Sequence, residues 1–200
     1  MIAVIDYKCG NLRSVGNALH RIGAEYQITS DPAVIRSASH VILPGVGEAS
    51  STMRALQKDG LDQVVLSLTQ PVLGICIGMQ LMCRYSEEGD VNCLGIFDTD
   101  VRKLPGSDTL KIPHIGWNTV QPLPVETRHA LSLQTGLPDE TYFYYVHSFA
   151  PAICEQTTAI TGYGVPFSAI LQNGNFFGTQ FHPEKSGEAG EIMLKNFMKL

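Results

Sequence analysis

The chain has 200 residues, 44% of them hydrophobic and 16% charged, which is typical of a folded globular protein with one sizeable core. One domain over residues 1–200 is therefore expected. The net charge of -5, with 14 basic residues scattered singly, offers no basic patch to a phosphate backbone, so nucleic acid is not an expected partner. The first residues lack a basic region and reach a charge at Asp6, unlike a signal peptide or a membrane span. Five cysteines without a Cys-x-x-Cys pair favour reduced thiols and a cytoplasmic protein.

Short apolar runs alternate with amphipathic stretches along the first part of the chain. This alternation predicts an α/β fold whose functional loops lie at the carboxyl ends of the strands. The predicted strands are residues 2–5, 26–28 and 41–43, and the predicted helices are residues 12–22, 49–58 and 61–69.

Residues 71–80 are predicted to form a short buried strand that runs straight into a helix, with Cys76 at the corner. Gly74 and Gly78 lie two residues away on each side, where so sharp a turn leaves no room for a larger side chain. The start of a helix favours a thiolate, because the first backbone N–H groups have no partner within the helix. The pattern therefore favours Cys76 as the nucleophile of a strand-turn-helix elbow. A buried cysteine that only packs against the sheet is the alternative.

The loop Pro44-Gly45-Val46-Gly47 follows the third predicted strand and precedes a predicted helix. Glycines let backbone N–H groups approach a developing oxyanion, although such pairs also occur in loops that only connect elements. In folds with an elbow, one oxyanion donor is the amide after the nucleophile, here that of Ile77, and the other comes from the loop after the third strand. We therefore predict the Val46 amide as the second donor.

The middle of the chain is less regular. Prolines interrupt residues 93–137, which predicts short strands and loops. The polar and aromatic cluster around Trp117, at residues 111–118, fits a packed turn almost as well as a functional segment. An aromatic strand is predicted over residues 141–150.

The last part of the chain has a clear hairpin signal. Asn173-Gly174 predicts a type I′ turn between strands at residues 167–171 and 176–181. A closing helix over residues 187–199 is expected to turn Ile192 and Phe197 toward the sheet, together with Leu194 and Met198.

His182 and Glu184 follow the second hairpin strand, with Pro183 between them. In an extended segment both side chains project to the same side, so the carboxylate can fix the imidazole tautomer and stabilise its charged form. A surface pair in a loop is the alternative for these two residues alone. Together with Cys76 they have the chain order and the strand-end positions that a Cys-His-carboxylate triad needs.

The other histidines do not indicate a metal site. His20, His40 and His129 are expected to be structural, whereas His114 and His147 could line the cleft. No histidine pair has the spacing of metal ligands with a carboxylate, so no metal is expected.

These motifs resemble those of the class I glutamine amidotransferases. Three segments match the family's nucleophile elbow, oxyanion loop and His-x-Glu segment, in the family's order: residues 74–80, 44–47 and 180–184. More narrowly, residues 6–12, 113–118 and 145–148 resemble the glutaminase subunits of imidazole glycerol phosphate synthase. The resemblance implies a flavodoxin-like three-layer sandwich with a mixed, mostly parallel central sheet, helices on both faces and a nucleophile elbow. It implies no cofactor.

By the same resemblance, Cys76 would attack the side-chain amide of glutamine, and His182, held by Glu184, would pass the proton to the departing ammonia. Water would then release glutamate from a thioester. The residues that would hold the glutamine are Gly45, Gly47, Gln80, Ser148 and Phe149. The ammonia would pass to a (β/α)8 cyclase subunit that makes imidazole glycerol phosphate and AICAR in histidine biosynthesis. The contacts to that subunit would be Trp117, Asn118, Tyr144 and Lys185.

Two other interpretations stay open from the sequence. A paralogue of this subunit could donate ammonia for sugar amination in surface polysaccharide synthesis. A thiol hydrolase or a regulatory binding module could also share the elbow fold, and recognition of glutamine would separate it from the amidotransferases.

Overall fold

The computed structural model describes residues 1–8, 12–45, 47–108, 110–124 and 132–200. Within them the strands are β1 (Ile2–Ile5), β2 (Tyr26–Thr29), β3 (His40–Leu43), β4 (Val72–Ile75), β5 (Cys83–Ser86), β6 (Val91–Asn92), β7 (Phe97–Lys103), β8 (His114–Pro122), β9 (Thr141–His147), β10 (Phe149–Pro151), β11 (Thr157–Tyr163), β12 (Val165–Asn173) and β13 (Phe176–Thr179). The helices are α1 (Leu12–Arg21), α2 (Pro32–Ser37), α3 (Ala49–Lys58), α4 (Leu61–Leu66), α5 (Ile77–Met82) and α6 (Gly187–Phe197). A 3-10 turn covers Pro183–Lys185.

The central sheet has nine strands in the order β2-β1-β3-β4-β13-β12-β11-β8-β9. The strands from β2 to β13 pair in parallel, and the strands from β13 to β9 pair antiparallel. The predicted α/β fold with a mixed central sheet is confirmed. Because β4 lies between β3 and β13, the segments that follow these three parallel strands meet at one edge of the sheet.

Alternate residues of β1 enter two hydrophobic cores. Ile2 and Val4 belong to a cluster with residues of α1 and α6, whereas Ala3 and Ile5 belong to a cluster with residues of α3 and α4. Successive side chains of a strand point to opposite faces, so the two clusters lie on the two faces of the sheet. Burial on both faces explains why the strand is a continuous apolar run.

A second sheet, in the order β10-β7-β5-β6, packs against the core that contains α3 and α4. It includes part of the region predicted as short strands and loops. That prediction was wrong in detail, because β7 has seven residues and β8 has nine. The strand predicted over residues 141–150 is two strands, since β9 ends the central sheet and β10 joins the second one.

The predicted hairpin is present as β12 and β13, with Asn173 paired to Phe176. Its two-residue loop is therefore Gly174-Asn175, one position later than predicted. Gly174 has a φ of 56°, and Asn175 is not among the residues with positive φ. A type I′ turn needs positive φ at both central residues, so the predicted turn type was wrong.

The closing helix α6 buries Phe197 and Leu194 as predicted, but Ile192 is only half-buried and Met193 is buried instead. The reason is a backbone contact, because a Cβ atom on Gly190 would lie 1.9 Å from the Pro183 carbonyl oxygen. Gly190 must therefore face the 3-10 turn, and residues three, four and seven positions later face inward with it. None of the helices in the described ranges is long and apolar enough to cross a lipid bilayer.

Candidate active site

Cys76 lies between β4 and α5, at the N-cap of the helix, as the elbow pattern predicted. Its backbone has φ 52° and ψ -108°, in a region that residues with side chains rarely adopt. The Cys76 N–H donates to the Thr179 carbonyl oxygen at 2.7 Å, and the Gln80 N–H donates to the Cys76 carbonyl oxygen at 3.0 Å. The corner is thus tied to β13 on one side and to the helix on the other.

The close approaches predicted at Gly74 and Gly78 are confirmed. A Cβ atom on Gly78 would lie 2.0 Å from the Leu43 carbonyl oxygen, and one on Gly74 would lie 2.7 Å from the Gly78 backbone. Gly45 is constrained in the same way, since its Cβ atom would lie 2.4 Å from the Gly78 nitrogen. Glycine at these positions lets the elbow pack backbone to backbone against β3 and the loop after it.

His182 and Glu184 form a buried pair at the 3-10 turn. His182 Nδ1 lies 2.8 Å from Glu184 Oε1, and both side chains are 1% exposed. A carboxylate accepts, so Nδ1 carries the proton. Burial, the strongest single influence, lowers the pKa of His182, but its interactions with Cys76 and Glu184 together raise it to about 10. The surroundings therefore favour an imidazolium that is stabilised by the sulfur and by the carboxylate.

Two glutamine side chains connect the sulfur to the wall of the site. The Gln180 amide nitrogen lies 3.7 Å from Cys76 Sγ, within the range of a hydrogen bond to sulfur. The Gln80 amide nitrogen donates to Gln180 Oε1 at 2.9 Å and to the Phe149 carbonyl oxygen at 2.8 Å. Gln80 Oε1 is buried and accepts no hydrogen bond from the part of the chain that the structure describes.

A cavity of about 290 Å³ adjoins these groups, a size suited to a small ligand. Cys76 and His182 line it, together with all five residues predicted to hold glutamine: Gly45, Gly47, Gln80, Ser148 and Phe149. Glu184 does not line it and lies behind His182. The structure thus brings the predicted nucleophile, base and substrate residues to one site.

Of the two predicted oxyanion donors, only Ile77 lies within the described residues. Ile77 is the first residue of α5 and lines the cavity, so its N–H is one of the four that lack an acceptor inside the helix. Val46 lies outside the described residues, and its role stays a prediction. The Tyr7 hydroxyl donates to the Pro44 carbonyl oxygen and holds the start of this loop.

Three of the four predicted partner contacts lie together on β9, β8 and the 3-10 turn. Trp117 and Tyr144 are paired in register with ring centroids 6.1 Å apart, and Lys185 Nζ lies 5.9 Å from the Tyr144 ring centroid. Asn118 is not with them. Its side chain points to the opposite face of β8, where it donates to the Gly162 carbonyl oxygen at 3.1 Å.

Two polar residues of the site were not predicted as functional. Glu88 lines the cavity, and its carboxylate accepts from the Ala49 N–H at 3.0 Å. Gln180 belongs to a recognised motif but had no assigned role. Glu88 follows the polar end of β5 in a turn, and only the folded chain brings that turn beside the loop after β3. His147 lines the cavity as predicted, whereas His114 lies behind it.

Comparison with known proteins identifies the family. The model for "Glutamine amidotransferase class-I" matches residues 3–200. The imidazole glycerol phosphate synthase subunit HisH of Bacteroides fragilis is 53% identical over 200 residues, which cover 100% of this chain and 99% of that protein. The subunit HisH of Yersinia pseudotuberculosis is 44% identical over 200 residues, with 100% and 99% covered.

Solved structures agree with the fold at much lower identity. The structure of PurLQS from Thermotoga maritima superposes with a TM-score of 0.70 at 17% identity, covering 99% of this chain and 97% of that one. The glutaminase domain of Trypanosoma brucei CTPS, solved with bound acivicin, superposes with a TM-score of 0.63 at 13% identity, covering 99% and 93%. At these identities the similarity concerns the fold alone.

Proposed function

Because the chain belongs to the class I glutamine amidotransferases, and among them to the HisH glutaminase subunits of imidazole glycerol phosphate synthase, we propose that Cys76, His182 and Glu184 are its catalytic triad. One observation carries this assignment. Cys76 and His182, which is paired with the buried Glu184, meet at a cavity that every predicted glutamine-binding residue also lines. We further propose that residues 1–200 work as one glutaminase domain.

In the proposed reaction the Cys76 sulfur attacks the carboxamide carbon of glutamine. As the C–N bond breaks, His182 Nε2 gives its proton to the departing nitrogen, which leaves as ammonia, and a thioester remains. Water then attacks the thioester with Nε2 as the base, so glutamate and the thiolate are released. Glu184 keeps Nδ1 protonated throughout and stabilises the imidazolium, but it does not touch the substrate.

Two polar side chains of the cavity wall suggest how glutamine is held. Both amide hydrogens of Gln80 are used within the protein, so Gln80 would contact the substrate through Oε1, as an acceptor of a substrate N–H. We assign the α-ammonium group to the Glu88 carboxylate, since Glu88 is the acidic side chain among the described residues of the wall. The Ile77 amide, with that of Val46, would stabilise the oxyanion.

We propose that the partner is the cyclase subunit, which takes up the ammonia and forms imidazole glycerol phosphate and AICAR in histidine biosynthesis. The full-length similarity to HisH subunits supports this role over ammonia donation for polysaccharide sugars. The apolar face around Trp117 and Tyr144 would be the contact surface. Since the described cysteines are free thiols, we place the reaction in the cytoplasm. That no metal or cofactor takes part stays a prediction.

The test is Cys76→Ala, assayed in complex with the cyclase and its nucleotide ligand. We expect glutamine-dependent synthesis to fall by roughly a thousandfold or more, because the nucleophile is lost, while ammonia-dependent synthesis is retained. Cys93→Ala is the control, since this half-buried thiol lies outside the cavity. Loss of both activities in Cys76→Ala would assign Cys76 a structural role, and a wild-type complex that releases no glutamate would refute the function.

A further inference from the structure

Two buried histidines face each other across the last strand pair of the central sheet. His114 on β8 and His147 on β9 are register partners and are 3% and 7% exposed. His114 Nδ1 lies 2.9 Å from His147 Nε2, and His147 Nδ1 lies 2.8 Å from the Phe149 carbonyl oxygen. The triad chemistry uses neither ring.

The partners assign the tautomer of each ring. A carbonyl oxygen only accepts, so His147 Nδ1 carries a hydrogen, and in a neutral ring His147 Nε2 must then accept. His114 Nδ1 is therefore the donor to His147. His114 Nε2 is left as an acceptor, and the Asn118 amide nitrogen lies 3.3 Å from it. Burial lowers the pKa of His114 to about 4 and that of His147 to about 3, which keeps both rings neutral.

The same carbonyl continues the chain of hydrogen bonds into the active site. The Phe149 oxygen accepts from His147 and from the Gln80 amide, so both of its lone pairs are used. Gln80 donates in turn to Gln180, whose amide donates to Cys76 Sγ. From Asn118 to the Phe149 carbonyl, each group donates to the next one along this chain of hydrogen bonds. The Gln80 amide donates in both directions, to Phe149 and to Gln180. Seven groups thus connect the inner face of β8 with the nucleophile.

The histidine end of this chain is held rigidly. The His114 ring is stacked between Tyr145, at a centroid distance of 4.9 Å, and Tyr163, at 3.9 Å, with interplanar angles of 23° and 22°. The Tyr163 hydroxyl donates to the Lys111 carbonyl oxygen, and the Tyr145 hydroxyl bonds to that of Thr161. A ring fixed on both faces transmits the position of its strand to the group it bonds.

We propose that His147, oriented by His114, is a positioning residue of the glutaminase site, which sets the Phe149 carbonyl and, through Gln80 and Gln180, the place of the Cys76 sulfur. The proposal deepens the proposed function and rests on it. It also explains how a change at β8 and β9, the strands that carry the exposed Trp117 and Tyr144 face, would reach the nucleophile. β9 also approaches the nucleophile directly, since the Val146 carbonyl oxygen lies 4.0 Å from Cys76 Sγ although the two residues are 70 positions apart in the sequence.

The experiment compares His114→Asn with His114→Gln in the complex with the cyclase. Both variants remove the stacked ring, so their folding losses are matched. The Asn amide can replace the Nδ1 donor to His147, whereas the longer Gln amide reaches the Nε2 position and leaves His147 Nε2 without a donor. The measurements are kcat and KM for glutamine hydrolysis and the rate at which iodoacetamide alkylates Cys76, followed on its peptide by mass spectrometry.

We expect His114→Gln to reduce both kcat and the Cys76 alkylation rate by roughly three- to tenfold relative to His114→Asn, with a smaller change in KM. Equal kcat and equal alkylation in the two variants would overturn the proposal, since a purely structural role would affect both alike. If neither variant folds, Asn118→Ala removes the first donor without touching a ring, and an unchanged alkylation rate there would also overturn it. Should the wild-type complex fail to hydrolyse glutamine, the proposed function fails, while the alkylation rates still decide the positioning role.

Discussion

At Cys76 the backbone geometry and the chemistry depend on each other. The φ of 52° and ψ of -108° turn the chain from β4 into α5 within one residue, which places the sulfur in the cavity. Such a conformation costs about 1–3 kcal/mol in a residue with a side chain. Glycine would adopt this backbone conformation at a lower cost than the cysteine that stands here.

This strain predicts different stabilities for two variants that both lack the sulfur. Cys76→Gly should be more stable than Cys76→Ala by roughly 1 kcal/mol, because alanine retains the Cβ atom and its strained φ, whereas glycine relieves it. Urea unfolding of both variants measures the difference. An alanine variant that equals or exceeds the glycine variant would show that the elbow is unstrained.

The candidate site residues predicted from the sequence differ in kind from those that only the structure placed at the site. Cys76, His182 and Gly78 belong to local patterns in which chemistry and turn geometry coincide, so a few neighbours suffice to predict them. Glu88 and Gln180 are polar residues whose place depends on which distant segment packs beside them. Their contacts, to the Ala49 amide and to Cys76, join residues 39 and 104 positions apart, which no local pattern contains.

At the scale of elements, β8 shows why a long strand was predicted as short pieces. Its inner face carries His114 and Asn118, whereas Ile115 and Trp117 are 60% and 56% exposed on the outer face. The usual alternation, with apolar residues inside and polar residues outside, is therefore inverted. An alternating pattern of this kind does not indicate which face of the strand is buried. β7 follows the normal rule, with Phe97 buried, but its four charged residues and the nearby Pro105 obscured it.

The neutral histidine pair in β8 and β9 predicts an acid sensitivity. Burial, the main cause, lowers the pKa of His147 to about 3, whereas an unfolded histidine titrates near 6.5. Between these values the unfolded chain binds the extra proton, so the stability is complete above pH 6.5 and is lost as the pH falls toward 3. The loss from this ring is up to about 1.4 kcal/mol per pH unit.

His147→Asn should remove this contribution. The variant is expected to be less stable than the wild type at pH 7.5, and the gap should narrow as the pH falls to 5, as measured by urea unfolding at each pH. His20→Asn, at an exposed histidine on α1, is the control for the loss of a histidine outside the buried pair. A gap for His147→Asn that does not change with pH would contradict the prediction.

At the scale of the whole molecule, the β9 edge of the central sheet combines an exposed apolar face with a contact to the site. The outer face of the β9 edge exposes Ile115, Trp117 and Tyr142, each by more than half. β9 also holds the proposed base, since the Tyr144 carbonyl oxygen accepts from the His182 N–H at 2.9 Å. A partner that covers this face would therefore contact two strands that are connected to the site. β9 is hydrogen-bonded to His182, and the histidine pair on β8 and β9 is connected to Cys76 by the chain of hydrogen bonds. An adjoining apolar patch of this kind is typical of a protein interface.

Trp117→Ala tests whether this face binds the cyclase. Loss of a central aromatic side chain should weaken binding by roughly 10- to 100-fold, because tryptophan residues commonly dominate interface energies. The free chain should lose at most about 1 kcal/mol of stability, since the side chain is 56% exposed. Ile28→Ala is the matched control: it removes a 39% exposed side chain on β2, the opposite edge of the sheet, and should leave the Kd within about twofold. Titration calorimetry with the cyclase measures both, and equal affinities for the two variants would move the interface away from β8 and β9.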